Sequence, residues 1–242
     1  MIAAVSSAVS TVPTMTAPSS TTADGPTLPE SALGSLPIFP LPNVVLLPGV
    51  VLPLHIFEPR YRALLDACQR EHRAMAMGLL AVDHPPDDLG RPQVYEVVCA
   101  GLIVASETLA DGRSNILLYG TQRLRIVEEL HTDEPFRRVA TEPLPDFRGP
   151  DDDAAADRLR RVALQISDSV PGAHQILGNI LASARSPSHL GNLLAAQVLD
   201  PISLRQACLE EQHVATRLDT ITDALGSALL HLMDDTETKG AH

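Results

Sequence analysis

The sequence contains almost no lysine. Among its 18 basic side chains there is one lysine, Lys239, and only three residues follow it. A phosphate-binding P-loop needs a lysine between a glycine-rich turn and a helix. Ser-Lys and Schiff-base chemistry need a lysine inside a packed site. We therefore expect neither P-loop nucleotide hydrolysis nor Ser-Lys proteolysis from these residues.

Aromatic residues and cysteines are also scarce. Tryptophan is absent and aromatic residues make up 3% of the chain, so we expect a core built from aliphatic side chains. The three cysteines, Cys68, Cys99 and Cys208, are far apart in sequence and form no C-x-x-C pair. This pattern favours buried free thiols in a reducing compartment over a disulfide framework or a zinc site.

The chain also lacks an excess of positive charge and long apolar runs. Its formal net charge is −12 and no segment is basic, so we do not expect it to bind nucleic acid through the phosphate backbone. No apolar run reaches the roughly 18 residues of a membrane helix, and the N-terminus lacks the basic start of a secretory signal. We expect a cytoplasmic protein that does not cross a membrane.

The residues that are present divide the chain into four segments. Residues 1–35, rich in Ser, Thr, Ala and Pro without any periodicity, are predicted to be a disordered tail. Residues 36–148 carry several short β-type patterns, and residues 149–235 carry helical patterns on short connections. Residues 236–242 are predicted to be a flexible C-terminal tail.

Residues 36–148 also contain one amphipathic helix and one hairpin. The helix is indicated by the 3.6-residue spacing of Phe57, Tyr61, Leu64, Leu65 and Cys68. Pro59 suits its first turn. Asp111-Gly112 lies between two β-rich runs, which predicts a hairpin with positive φ at both turn positions. Many short strands and one helix together predict a small closed or half-closed barrel.

Three stretches of the sequence resemble a known family. Residues 36–68, and above all Leu-Pro-Leu-His-Ile-Phe-Glu-Pro-Arg-Tyr at 52–61, resemble the opening of the Lon protease N-terminal (substrate-binding) domain, in its stand-alone bacterial form. Residues 98–130 resemble the hairpin and the Gly-x-x-Arg-x-x-Ile signature of that family, and residues 193–225 resemble its closing helices. The signature residues are Gly120, Arg123 and Ile126.

The resemblance implies both a fold and a role. The fold would be α+β, a PUA-like small β-barrel with one inserted helix, followed by a C-terminal α-helical bundle. The role would be non-catalytic recognition of unfolded or tagged polypeptides, without a cofactor and with a separate ATP-dependent protease as a candidate partner. The alternative is a PUA-like protein that binds RNA or a small ligand. A basic stripe would favour that alternative, and the sequence shows none.

Four apolar residues are candidates for a polypeptide-binding groove. They are Phe39, Leu41, Phe57 and Tyr61. Large apolar side chains can line such a groove. Ordinary packing in the core explains the same residues equally well, so both interpretations stay open.

Three charged residues are candidates for the rim of that groove. Glu58, Arg60 and Arg62 lie at the start of the predicted helix, where arginine could grip carboxylates or the peptide backbone. The alternative is a structural salt bridge from Glu58 to an arginine of the barrel.

Catalytic and metal-binding residues are not assigned. No two histidines have the spacing of metal ligands. The run Asp83, His84, Asp87 and Asp88 could hold a hard cation, but Pro85-Pro86 favours a solvated turn. Arg123 is interpreted as a structural pin for the neighbouring hairpin rather than as an RNA contact.

Overall fold

The computed structural model describes residues 25–81, 84–87, 90–170 and 172–240, with side chains up to residue 230. These residues form a mixed α+β fold with six strands and six α-helices. The strands are β1 (Leu36–Leu41), β2 (Val51–Ile56), β3 (Ala74–Leu79), β4 (Val97–Thr108), β5 (Ser114–Leu130) and β6 (Arg137–Pro143). The helices are α1 (Pro59–Arg70), α2 (Asp152–Ser169), α3 (Ala173–Ser183), α4 (Pro187–Val198), α5 (Ile202–Glu210) and α6 (Val214–Gly240). Of the predicted N-terminal tail, residues 1–24 lie outside the described part.

All six strands belong to one sheet. Their order is β2-β5-β4-β3-β1-β6, and β5 pairs with β6 as well. The pairings therefore run from β5 through β4, β3, β1 and β6 and return to β5. Strand β2 is outside this circuit and, among the described residues, pairs with β5 alone. Strands β1 and β3 are parallel, and the crossover that parallel strands require contains α1.

Strand β1 lies between β3 and β6 in this circuit. It pairs with β6 over Leu36–Ile38 and with β3 over Ile38–Leu41. Each of its prolines therefore has a partner strand on one side only, since Pro37 lies opposite β6 and Pro40 opposite β3. A proline that lacks an N–H is tolerated in a strand under this condition.

The predicted helix forms, but one residue of its predicted face is misplaced. Helix α1 begins with Pro59 in its first turn and buries Tyr61, Leu64, Leu65 and Cys68. Phe57 precedes the helix and leaves 59% of its surface exposed. The prediction that Phe57 continues the apolar face is therefore wrong, because Pro59 starts the helix two residues after it.

The predicted hairpin joins β4 to β5, with Thr108 opposite Ser114. Its turn is longer than a two-residue turn, because the Leu109 and Gly112 amides donate to Arg113 O and Leu109 O at 2.8 and 2.9 Å. Only Gly112, with φ of 80°, has a positive φ there. The prediction of positive φ at Asp111 as well is wrong, since a longer turn needs only one left-handed residue.

One continuous apolar core lies between the sheet and the helices. It includes Leu118 of β5, Leu64 of α1, Leu190 of α4 and Leu218 of α6. The core is mainly aliphatic, as predicted, with aromatic contributions from three buried rings, Phe39, Tyr61 and Phe136. A smaller cluster that includes Leu36, Val98 and Leu124 packs separately.

The three cysteines are buried free thiols, as predicted. Burial raises the pKa of Cys68 and of Cys99 to about 12 and that of Cys208 to about 11. Since the thiolate is the reactive form of cysteine, all three are inert at neutral pH.

Helices α2 to α6 follow the sheet in sequence. Helix α2 starts with Asp152 and Asp153 in its first turn, where negative charge is favoured by the helix dipole. The N-cap of α4 is Ser186, whose Oγ accepts a hydrogen bond from the His189 amide at 3.1 Å. Among the described residues, none of the helices combines the length and apolar composition that crossing a bilayer requires.

Candidate functional site

Three of the four apolar candidate residues are wholly or partly buried. Phe39 and Tyr61 belong to the core, and their rings meet edge to face with centroids 4.1 Å apart. The Tyr61 hydroxyl donates to Pro40 O at 3.2 Å, and burial raises its pKa. Leu41 is half-buried against the same core. These side chains hold the start of α1 against β1 and offer little surface to a ligand.

Phe57 is the apolar candidate that reaches the surface. It lies between the end of β2 and the start of α1. Its ring stacks on the His55 ring, with centroids 6.1 Å apart and planes inclined by 27°. An exposed aromatic ring of this kind offers a large apolar contact area to a partner.

The three charged candidates follow Phe57 in sequence and lie at the start of α1. Arg60 Nε donates to Glu58 Oε2 at 3.0 Å, and its guanidinium lies 4.4 Å above the Tyr61 ring. The alternative of a salt bridge from Glu58 to a barrel arginine is therefore wrong, because its ion-pair partner belongs to α1 itself. Arg62 reaches the β4–β5 turn, where a Cβ on Gly112 would lie 2.3 Å from its Nη2.

The end of the β4–β5 hairpin borders this region. His55 Nδ1 and Asn115 Oδ1 are 2.7 Å apart, and Arg113 Nη1 lies 3.4 Å from His55 Nε2. Arg113 also pairs with Asp111, with Nε and Oδ2 separated by 2.6 Å. We call His55, Phe57, Glu58, Arg60 and Arg62 together the β2–α1 surface. It combines an exposed ring with charges of both signs.

A second group of polar residues, which the sequence did not reveal as a unit, lies buried between the sheet and the helices. Arg123 Nε donates to Leu209 O at 2.9 Å, Nη1 to Asp146 Oδ1 at 2.8 Å and Nη2 to Asn192 Oδ1 at 2.8 Å. Arg123 therefore has a structural role, in which it binds α4, α5 and the β6–α2 connection. The prediction that it pins the hairpin is wrong about its partners.

Arg217 of α6 joins the same group. Its Nη1 donates to Asp146 Oδ1 at 3.1 Å and its Nη2 to Ser188 Oγ at 2.8 Å. We call Arg123, Asp146, Ser188, Asn192 and Arg217 the buried arginine cluster. Two guanidinium groups share one carboxylate in it.

The charges of the buried arginine cluster shift one another's pKa values. Burial, followed by the repulsion of Arg217, lowers the pKa of Arg123 to about 10. Burial alone would raise the pKa of Asp146, but the attraction of Arg123 and Arg217 outweighs it and lowers that pKa. Asp146 therefore stays ionised at neutral pH, as the structural role of the cluster requires.

Metal chemistry finds no support among the described residues. They contain no group of three His, Cys, Asp or Glu side chains that could hold a metal ion. Two members of the predicted acidic loop, Asp83 and Asp88, lie outside the described part. A third, Asp87, accepts hydrogen bonds from the amide and Nε of Arg91 at 2.7 and 2.9 Å.

Known proteins resemble this chain over most of its length. The family model described as "ATP-dependent protease La (LON) substrate-binding domain" matches residues 35–227. Lon protease 2 of Myxococcus xanthus is 26% identical over 222 residues, which cover 90% of this chain and 26% of that protein. Lon protease 2 of Syntrophobacter fumaroxidans is 29% identical over 201 residues, which cover 81% and 24%. The chain spans about a quarter of the length of these curated relatives.

Solved structures show the same fold. The N-terminal domain of the Mycobacterium avium complex Lon protease superposes with a TM-score of 0.64 at 17% identity, over 79% of this chain and 98% of that one. A Lon N-terminal domain protein from Xanthomonas campestris gives 0.54 at 26% identity, over 77% and 96%. With the family model covering residues 35–227, these likenesses agree on one assignment: the chain belongs to the family of LON substrate-binding domains.

Proposed function

We propose that the chain is a non-catalytic recognition module for unfolded or tagged polypeptides. The observation that carries this proposal is the exposure of Phe57, 59% of whose surface faces solvent beside charged side chains. Membership of a family described as substrate-binding supports it. The β2–α1 surface is the proposed place of contact.

The chemistry of the β2–α1 surface suits a polypeptide. The Phe57 ring would bury apolar side chains of the client, and removal of that area from water would supply affinity. Arg60 and Arg62 would donate to carboxylates or backbone carbonyls of the client. The three buried candidates would contribute indirectly, because they hold the start of α1 against β1. They are Phe39, Leu41 and Tyr61.

We also propose a finer description of the architecture. The circuit of strand pairings through β5, β4, β3, β1 and β6 supports a small PUA-like barrel. In this proposal residues 36–148 form the barrel part and residues 149–235 the helical part, around a shared core. We further propose a cytoplasmic setting and a separate ATP-dependent protease as partner. The matching family model, described as the substrate-binding domain of an ATP-dependent protease, supports the choice of partner.

The test is binding of an unfolded polypeptide to the full chain. Fluorescently labelled, reduced and carboxymethylated α-lactalbumin is a suitable probe, with affinity measured by anisotropy. Phe57→Ala should weaken binding by about tenfold, equivalent to about 1.4 kcal/mol. Leu164→Ala is the matched control, because Leu164 is exposed by 51% and belongs to α2, which contributes no residue to the β2–α1 surface. Failure of the wild-type chain to bind, or equal affinities of the two variants, would contradict the proposal.

The same preparation tests the two competing functions. Retardation of structured RNA that weakens steeply with salt would favour the RNA-binding alternative, which the net charge of −12 opposes. Turnover of casein by the purified chain would contradict the non-catalytic role.

A further inference from the structure

Within the part of the chain that the structure describes, strand β2 has one free edge. It is the terminal strand of the sheet, and its residues from Val51 to Ile56 pair without interruption with β5, from Tyr119 to Ser114. An unpaired strand edge presents a row of N–H and C=O groups that can template another strand.

The pairing pattern shows which backbone groups point out of the sheet. The Gly120 amide donates to Val50 O at 2.9 Å, and hydrogen-bonded pairs then recur at every second residue of an antiparallel ladder. Leu52, Leu54 and Ile56 are therefore the residues bonded to β5. The N–H and C=O groups of Val51 and His55, and the C=O of Pro53, point outwards.

Proline occupies the place in the strand where its missing N–H costs nothing. Pro53 lies opposite Leu117, in a position whose N–H would face away from β5. The outer edge consequently has three acceptors, on Val51, Pro53 and His55, but only two donors. Among the described residues, none is found that hydrogen-bonds to these outward backbone groups.

The side chains on one face of β2 add a stripe of exposed residues to this edge. Val51 is exposed by 50%, and Pro53 and His55 are also exposed. The stripe continues into Phe57, on which His55 stacks. The free edge therefore adjoins the β2–α1 surface.

We propose that an extended segment of the client polypeptide adds to β2 as a further strand. This inference rests on the proposed function, since it names how that client is bound. Backbone hydrogen bonds would hold a client of any sequence. Alternate side chains of the client would lie over the stripe formed by Val51, Pro53, His55 and Phe57. Recognition of this kind selects unfolded segments, because folded chains have already paired their backbone groups.

The surplus of acceptors favours a client over a second copy of this chain. In an antiparallel pair of two β2 strands centred on Pro53, the two prolines face each other and both of their carbonyls lack a donor. An ordinary client strand has an N–H at every residue except proline, so it can fill all three outward acceptors.

The first experiment compares two client peptides with the wild-type chain. Both have the same alternating apolar and polar sequence, and N-methyl groups block the amides of either the apolar or the polar residues. Strand addition predicts that one peptide binds like the unmodified one and the other at least about tenfold more weakly, because only one set of amides faces β2.

The outcomes of this comparison separate the two proposals. Equal affinities of both N-methylated peptides overturn strand addition while leaving polypeptide binding intact. Failure of the unmodified peptide to bind overturns both. The experiment does not depend on the folding of any variant.

The second experiment removes an outward N–H from the protein. Val51→Pro eliminates a donor that makes no bond to β5, whereas Val51→Ala shortens the side chain and keeps the donor. We expect Val51→Pro to bind the unmodified peptide about tenfold more weakly than Val51→Ala, with thermal unfolding showing that both are folded. Equal affinities of two folded variants overturn the proposal.

Two other occupants of the edge give distinct results. A second copy predicts a dimer in sedimentation velocity that Val51→Pro dissociates. The chain's own residues 1–24 are a further occupant to test, because Gly25 lies beside Tyr119, the partner of Val51. In that case a chain beginning at Gly25 binds the peptide more tightly than the full chain. The dimer overturns the assignment of the edge to a client, whereas tighter binding by the shortened chain supports it and shows that residues 1–24 compete for the same edge.

Discussion

The buried arginine cluster and the β2–α1 surface use the same residue types in opposite settings. In the cluster, Arg217 is 1% exposed and shares the Asp146 carboxylate with Arg123. At the surface, Arg60 pairs with Glu58 at 3.0 Å, and their side chains are 54% and 40% exposed. Similar distances therefore accompany very different surroundings.

The difference shows that burial, more than geometry, decides what an arginine–carboxylate pair does. Removing one partner of a buried pair leaves an uncompensated charge away from water. An exposed pair loses little when broken, because water solvates each charge at once. The cluster is consequently suited to fixing the helices against the sheet, and the surface is free to exchange its internal contacts for those of a ligand.

The comparison is tested most strongly at two aspartates. Asp146→Ala should destabilise the fold by about 3–5 kcal/mol, because Arg123 and Arg217 would lose their shared counter-charge. Asp219→Ala should cost about 0–1 kcal/mol, although Asp219 also pairs with an arginine, Arg158, at 2.6 Å in an exposed setting. Urea unfolding measures both values. Equal losses would show that burial does not distinguish the two pairs.

Acid should remove the contribution of Asp146 gradually. Its pKa in the folded chain is below the ordinary value of 3.8, so its stabilising effect is fully present above that value and is lost as pH falls through the lowered pKa. The difference in unfolding free energy between wild type and Asp146→Ala should shrink over this range, because the wild-type carboxyl becomes protonated too. A difference that stays constant down to the acid transition would contradict this assignment.

Arg60 should give the smallest effect on stability. Arg60→Ala is expected to change the unfolding free energy by less than about 1 kcal/mol, while weakening the binding of an unfolded polypeptide several-fold. Salt should weaken the wild-type complex more than that of the variant, since a charged contact has been removed. A large loss of stability with unchanged binding would show that Arg60 stabilises the fold and does not contact the client.

Local patterns made much of the fold predictable. The spacing of Tyr61, Leu64, Leu65 and Cys68 identified α1, and Asp111-Gly112 identified the β4–β5 hairpin. Both signals are local, since they depend on residues within a few positions of each other. The family was also recognisable from the stretch at residues 52–61, which contains most of β2 and the start of α1.

The organisation of the two sites could not be predicted in the same way. Arg123, Asp146 and Arg217 are far apart in sequence and meet only through tertiary packing. The exposure of Phe57 depends on Pro59 starting the helix two residues later, a shift within the usual uncertainty of helix boundaries. The free edge of β2 follows from the order of the strands in the sheet. The sequence pattern of a single strand does not indicate its place in that order.

The position of β1 also has a consequence for biosynthesis. Leu36 and Val139 are partners in the pairing of β1 with β6. The first strand therefore cannot pair with the last until roughly a hundred further residues have been synthesised. At about 5–20 residues per second, a ribosome needs about 5–20 s to make that interval. During this time the nascent β1 has no β6 to pair with, and the emerging chain is itself an unfolded polypeptide of the kind that chaperones bind.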